Sequence, residues 1–173
     1  NENSLIAIQG PKAYEILHFL QTTNQLSFME SRSINYLGET IIVSRSGYTG
    51  EDGFEISIPN TISLAFIELL MENLNSKLCG LGCRDSLRLE AGLSLYGNEL
   101  NESITPVEAG LSWAIHKDRL NDETLNGNTI LLSNFNNGIN KKKIGLKSLS
   151  KSILRSKMKL FDVNKNHIGL ILA

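Results

Sequence analysis

The chain has 173 residues, 41% hydrophobic and 20% charged, with a formal net charge of −1. This is an ordinary globular composition and excludes a disordered or collagen-like chain. No apolar run approaches the roughly 20 residues of a membrane-spanning helix, and the longest clean stretch, near residues 64–71, is interrupted by Glu68. The charge is unevenly spread. Residues 1–116 carry 6 basic and 14 acidic side chains, and residues 117–173 carry 11 basic and 4 acidic. That reversal of sign places a boundary between two structural units near Lys117. The lysines at 141–143 have only Phe135 and Phe161 nearby as stacking residues, so the basic half reads as a solvated surface rather than a nucleic-acid site. The chain starts at Asn1 rather than Met and stops inside the apolar run 168–173, so it is expected to be a piece of a longer protein.

In chain order, residues 5–8 read as a short strand ended by Gly10-Pro11. Pro11 suits the first position of a helix over 12–20, where Tyr14, Leu17 and Leu20 recur at helical spacing. Residues 22–33 read as a loop. Strands at 35–37 and 40–44 follow, joined by Gly38-Glu39, and then a segment with three glycines in seven residues, 47–53. Residues 54–58 alternate, with Phe54, Ile56 and Ile58 on one face and Glu55 and Ser57 on the other. A helix over 62–74 is predicted with Leu64, Ile67, Leu70, Met71 and Leu74 as its apolar stripe. A second helix over 84–91 would pack through Leu87 and Leu89 and carry Arg84 and Arg88 four apart on one face, where as surface charges they would pair with Asp85 or Glu90. Residues 107–115 are mostly apolar and include the single Trp113. The asparagine-rich stretch 121–140 reads as an exposed connection, and 144–146, 158–163 and 168–172 as strands with a turn at 162–166. The expected fold class is α+β, antiparallel sheets with packed helices, ending in an all-β tail.

Little in this pattern declares chemistry by itself. Cys79 and Cys83 are four apart without a partner cluster, so no metal site is expected. With no signal peptide in view, a reduced cytosolic setting is the default. The glycine-rich segment lacks the Lys-Ser/Thr of a phosphate loop and opens a strand, not a helix; a hairpin loop needing positive φ accounts for it. Glu55 either faces solvent or, if buried, must be paired, because an isolated buried carboxylate is costly.

Resemblance goes further. Ser46-Gly47-Tyr48-Thr49-Gly50-Glu51-Asp52-Gly53-Phe54-Glu55 resembles a signature of the T-protein family of the glycine cleavage system, the folate-dependent aminomethyltransferases. Gly80-Leu81-Gly82-Cys83-Arg84-Asp85-Ser86-Leu87-Arg88-Leu89-Glu90-Ala91-Gly92-Leu93, then Leu95-Tyr96-Gly97-Asn98-Glu99, resembles a second. Thr105-Pro106-Val107-Glu108-Ala109-Gly110-Leu111-Ser112-Trp113 is similar to a third, and Ile8-Gln9-Gly10-Pro11 fits upstream. The resemblance implies a three-domain enzyme with tetrahydrofolate in a central channel. Residues 1–116 would form the second half of the folate-binding region, 117–140 a connecting segment, and 141–173 the incomplete start of a C-terminal β-barrel. By motif position Glu55 would bind the pterin, Arg84 would belong to the same folate site, and Tyr48 and Trp113 would line it. A carboxylate suits the paired N–H donors of a pterin edge, aromatic faces suit its flat ring, and a guanidinium suits folate's polar edge or carboxylate.

The implied partners are lipoylated H-protein and the folate, with no nucleic acid or membrane. The implied setting is the bacterial cytoplasm, or the mitochondrial matrix in a eukaryote, the bacterial one being preferred. The family's aspartate near the reacting folate nitrogen would lie upstream of Asn1, so no catalytic residue is assigned within 1–173. Cys83 stands where the family commonly has alanine. The competing expectations are a folate-binding accessory protein of iron–sulfur cluster assembly and another folate-dependent C1 or methyl transferase. The accessory branch carries a Lys-Gly-Cys-type motif that is absent where this chain reads Glu90-Ala91-Gly92-Leu93-Ser94-Leu95-Tyr96-Gly97.

Overall fold

Apolar alternation with a period of two builds the main sheet. Strands β1 (Asn3–Gln9), β2 (Ser31–Tyr36), β3 (Glu39–Ser44) and β4 (Gly53–Pro59) pair antiparallel throughout, in the order β1-β4-β3-β2. The register sets Ile6 and Val43 beside Ile56, and Ile8 beside Phe54. Phe54, Ile56 and Ile58 are therefore wholly buried on one face, as the alternation predicts, together with Ile41 and Val43. Each such side chain contributes about 1.5–3 kcal/mol by leaving water. Glu55 and Ser57 lie on the opposite face. The computed structural model describes residues 2–173, and it divides into two units, one ending at Leu93 and the other running Ser94–Ala173.

In the first unit, helices α1 (Ala13–Ile16) and α2 (Asn60–Met71) close the buried face of the sheet. α1 is shorter than the predicted 12–20. The buried Thr23 hydroxyl donates to the Leu17 carbonyl (3.3 Å), which also accepts the Leu20 N–H (2.9 Å), and the chain continues over His18–Gln25 as two short 3-10 turns separated by a kink at Leu20 and Gln21. On α2 the buried row is Phe66 and Leu70, with Ile62 partly buried, whereas Leu64 is 66% exposed; the helix ends at Met71, short of the predicted 74, and Leu74 beyond it is 95% exposed. Of the predicted stripe Leu70 is buried, but Phe66 rather than Leu64 anchors the row, because apolar residues surround this helix and periodicity alone cannot choose between its rows. Phe19, Tyr36 and Phe66 meet at centroid distances of 6.2, 6.0 and 5.4 Å, and join helix to sheet. Helix α3 (Leu81–Glu90) follows, entered through Gly80 in extended conformation.

The second unit has less regular structure. Thr105 and Glu108 bond reciprocally, each backbone N–H donating to the other's side-chain oxygen (2.8 and 3.2 Å), as in a helix capping box. The stretch expected to be a bare connection contains helix α4 (Asn128–Asn137), bounded by Gly127 and Gly138 and anchored by the Asn128 amide donating to the Asp122 carbonyl (2.8 Å). Asparagine's low helix propensity hid it from the sequence pattern. Residues 144–146, expected to be a strand, have no ladder partner among the described residues. Strands β5 (Lys159–Phe161) and β6 (His167–Leu170) form an antiparallel hairpin. Its turn is gathered by the Asp162 carboxylate, which accepts from Asn164 and Asn166. These bonds, the Asn166 side chain's first, hold that carboxyl below its ordinary value. The whole is α+β, as expected from the mixed order of elements.

Candidate ligand site

The glycine-rich loop between β3 and β4 is held from three sides. Arg45 at its start grips Asp52 near its end through two hydrogen bonds (3.0 and 2.8 Å), and that hydrogen bonding holds the Asp52 carboxyl below its usual range. Gly10 N–H donates to the Asp52 carbonyl (2.9 Å). Gly50 has φ +81°, and a Cβ there would lie 2.6 Å from the Ala91 Cβ at the end of α3, so both backbone conformation and space require glycine. Gly47 and Gly53 differ from the hairpin-loop expectation. Their φ angles are not positive; instead each leaves room for the Gln9 side chain, with which a Cβ would overlap.

This loop and α3 bring two of the expected site residues together. The Arg84 guanidinium stacks over the Tyr48 ring, 4.9 Å from its centroid. Glu55, on the face of β4 away from the core, sits in register with Ala7 and Ser44. Its Oε2 accepts the Ser46 hydroxyl at 2.7 Å, two residues from Tyr48 along the loop, and Ser46 is the carboxylate's one side-chain partner among the described residues. Glu55 is half-buried rather than fully solvated. Trp113 belongs to the second unit, on the 3-10 turn Ser112–Ala114, and is 80% exposed.

The arrangement offers an oriented carboxylate acceptor on the open sheet face and, on the loop and α3, an arginine lying on an aromatic face. Such groups suit a flat, N–H-bearing heterocycle and an anionic tail. Among the described residues no group of three or more His, Cys, Asp or Glu could hold a metal ion, and no helix is long and apolar enough to cross a membrane.

Arg88 corrects a sequence reading. It is wholly buried, not a surface charge, and its Nε donates to Asp85 (2.8 Å) while an η nitrogen donates to the Leu93 carbonyl (3.2 Å). It therefore ties α3 to the segment that follows it. Leu87 and Leu89, expected to pack, are exposed by 37% and 45%. The sequence reading also missed Gln9 and Ser46. The one available signal for Gln9 was a long polar side chain closing an apolar strand immediately before Gly10-Pro11.

A crystal structure of the glycine cleavage system aminomethyltransferase T from Bartonella henselae matches all of this chain (100%) and 47% of its own at TM-score 0.90 and 36% identity, so the fold is that of this class of transferase. The family model described as the GCVT N-terminal domain matches residues 1–119, and the chain belongs to that family, the T-proteins of the glycine cleavage system. The mitochondrial aminomethyltransferase of Pisum sativum is 43% identical over 173 residues, covering 98% of this chain and 42% of the relative. The aminomethyltransferase of Synechocystis sp. is 42% identical over 159 residues, covering 89% and 41%. The chain thus spans less than half the length of the relatives it matches.

Proposed function

We propose that the protein containing this chain is a glycine cleavage aminomethyltransferase. It would move the one-carbon unit of an S-aminomethyl dihydrolipoyl arm, presented by H-protein, to tetrahydrofolate, with ammonia and the reduced dithiol as the other products. Tetrahydrofolate supplies the nitrogens that accept the carbon. The Glu55 carboxylate, turned by Ser46, takes the pterin's N–H donors. Arg84 meets the anionic or polar edge of the folate, with Tyr48 presenting its ring beneath. These residues bind and orient, and the rate advantage they supply is positional. Within residues 1–173 no group is given a proton-transfer role.

The observation that carries this reading is the half-buried Glu55 fixed at 2.7 Å by Ser46 beside the loop of Tyr48. In the same proposal residues 1–116 belong to the folate-binding region, 117–140 connect, and 141–173 begin a barrel. The site of action would be the mitochondrial matrix in a eukaryote or the cytoplasm in a bacterium, and the relatives described above do not favour one over the other. The test supplies the full-length protein with aminomethyl-loaded H-protein and tetrahydrofolate. Ammonia and methylene-tetrahydrofolate should appear in equal amounts and only with both reactants present. Ammonia release independent of tetrahydrofolate would refute the proposal.

A further inference from the structure

Gln9 closes β1 and projects its amide into the space between Gly47 and Gly53. Its Nε2 donates to the Ser46 carbonyl (3.0 Å) and to the Phe54 carbonyl (3.4 Å), while its Oε1 accepts the hydroxyl of buried Thr49 (3.2 Å). One side chain from the edge strand thereby grips the start and the middle of the loop and the start of β4 beyond it. Neither glycine has a positive φ; Gly47 leaves room for this amide, and Gly53 for the amide and for the Ile8 carbonyl, which would lie 2.7 Å from a Cβ there. Ser46, which turns Glu55, and Thr49, adjacent to Tyr48, are two of the three residues it holds.

We propose that Gln9 is a positioning residue that sets the folate-facing loop, fixing Tyr48 and Glu55 relative to one another through its amide rather than its bulk; this rests on the folate reading above. Two consequences follow from the donor and acceptor pattern. Both amide atoms are used, so an isosteric carboxylate would turn an acceptor toward two carbonyls and repel them. Because the two shorter hydrogen bonds go to Ser46 and Thr49 of the loop, and only the longest (3.4 Å) to Phe54 at the start of β4, their loss should loosen the loop while the sheet remains.

The experiment uses the full-length protein as wild type, Gln9→Glu and Gln9→Met. Gln9→Glu keeps the shape, and Gln9→Met keeps the bulk without polar groups. Hydrogen exchange of peptides spanning 45–54 and of β3 is read beside tetrahydrofolate binding and steady-state kinetics. In both variants, loop exchange should accelerate about tenfold or more with β3 unchanged, the tetrahydrofolate dissociation constant and KM should rise about tenfold to a hundredfold, and kcat at saturating folate should change less than about twofold. Wild-type binding with unchanged affinity in both variants overturns this inference alone, as does unchanged loop exchange. A wild-type protein that does not bind tetrahydrofolate overturns the folate reading and this inference with it. Unequal effects, with Gln9→Met silent and only Gln9→Glu impaired, would mean that bulk suffices and would also overturn it.

Discussion

Gly50→Ala should destabilise the first unit by about 2–4 kcal/mol, and the magnitude can be assembled from two local causes. Gly50 has φ +81°, where an L-residue costs about 1 kcal/mol or more. The added methyl would also stand 2.6 Å from the Ala91 Cβ, which is fixed to backbone and cannot swing aside. Forcing a methyl into an occupied contact costs about 1–3 kcal/mol through backbone shift. Ala91→Gly removes the second cause but not the first, at its own cost of about 0.5–1 kcal/mol near the end of α3. The two substitutions should therefore be non-additive, with the double variant recovering about 1–3 kcal/mol relative to the sum of the singles. Urea unfolding followed by circular dichroism measures all four proteins. A loss below about 0.5 kcal/mol for Gly50→Ala, or strict additivity, would refute the loop-on-helix contact.

Two further outcomes can be checked on the same protein. Phe66→Ala, which empties the meeting point of Phe19, Tyr36 and Phe66, should cost about 3–5 kcal/mol by denaturant unfolding, whereas Leu64→Ala on the exposed side of the same helix should cost less than about 1 kcal/mol. Asp52→Asn should remove an Arg45 pair worth about 0.2–1 kcal/mol, since the two side chains are 39% and 31% exposed. Because the Asp52 carboxyl is held low, mainly by that hydrogen bonding, the pair is intact above the ordinary carboxylate pKa and is lost as pH falls through the depressed one. The stability gap between wild type and Asp52→Asn should be constant from about pH 6 to 8 and close below about pH 4; a gap that widens on acidification would contradict it.

The legible parts of the chain were those where one short-range rule dominates. Phe54-Glu55-Ile56-Ser57-Ile58 could hardly be read as anything but a half-buried strand, and it placed Glu55 on the open face. Asp162 with Asn164 and Asn166 announced the last turn by side-chain chemistry alone. What failed depended on packing and side-chain contacts that periodicity does not carry. α4 forms despite its asparagines, because glycine boundaries and the Asn128–Asp122 bond fix it. The buried row of α2 is selected by the sheet beneath it. Arg88 looked like a surface charge because nothing local shows that it is wholly buried and tied to Leu93. For the proposed site, motif resemblance supplied the candidates Tyr48, Glu55, Arg84 and Trp113, of which the structure puts Tyr48 and Arg84 in contact. The contacts that set Glu55 and its loop, Ser46 on Glu55 and Gln9 on the loop, emerged only when β4 was paired with β3 and with β1.

The most direct test of the folate site is calorimetric titration of tetrahydrofolate into the full-length protein and its Glu55→Gln variant. Glutamine keeps the shape and the Ser46 contact but removes the ionised acceptor, so a charge-assisted hydrogen bond of about 1.5–3 kcal/mol is lost. The dissociation constant should rise about tenfold to a hundredfold with the unfolding transition unchanged. Equal dissociation constants for the two proteins would contradict the assignment of Glu55 to the pterin.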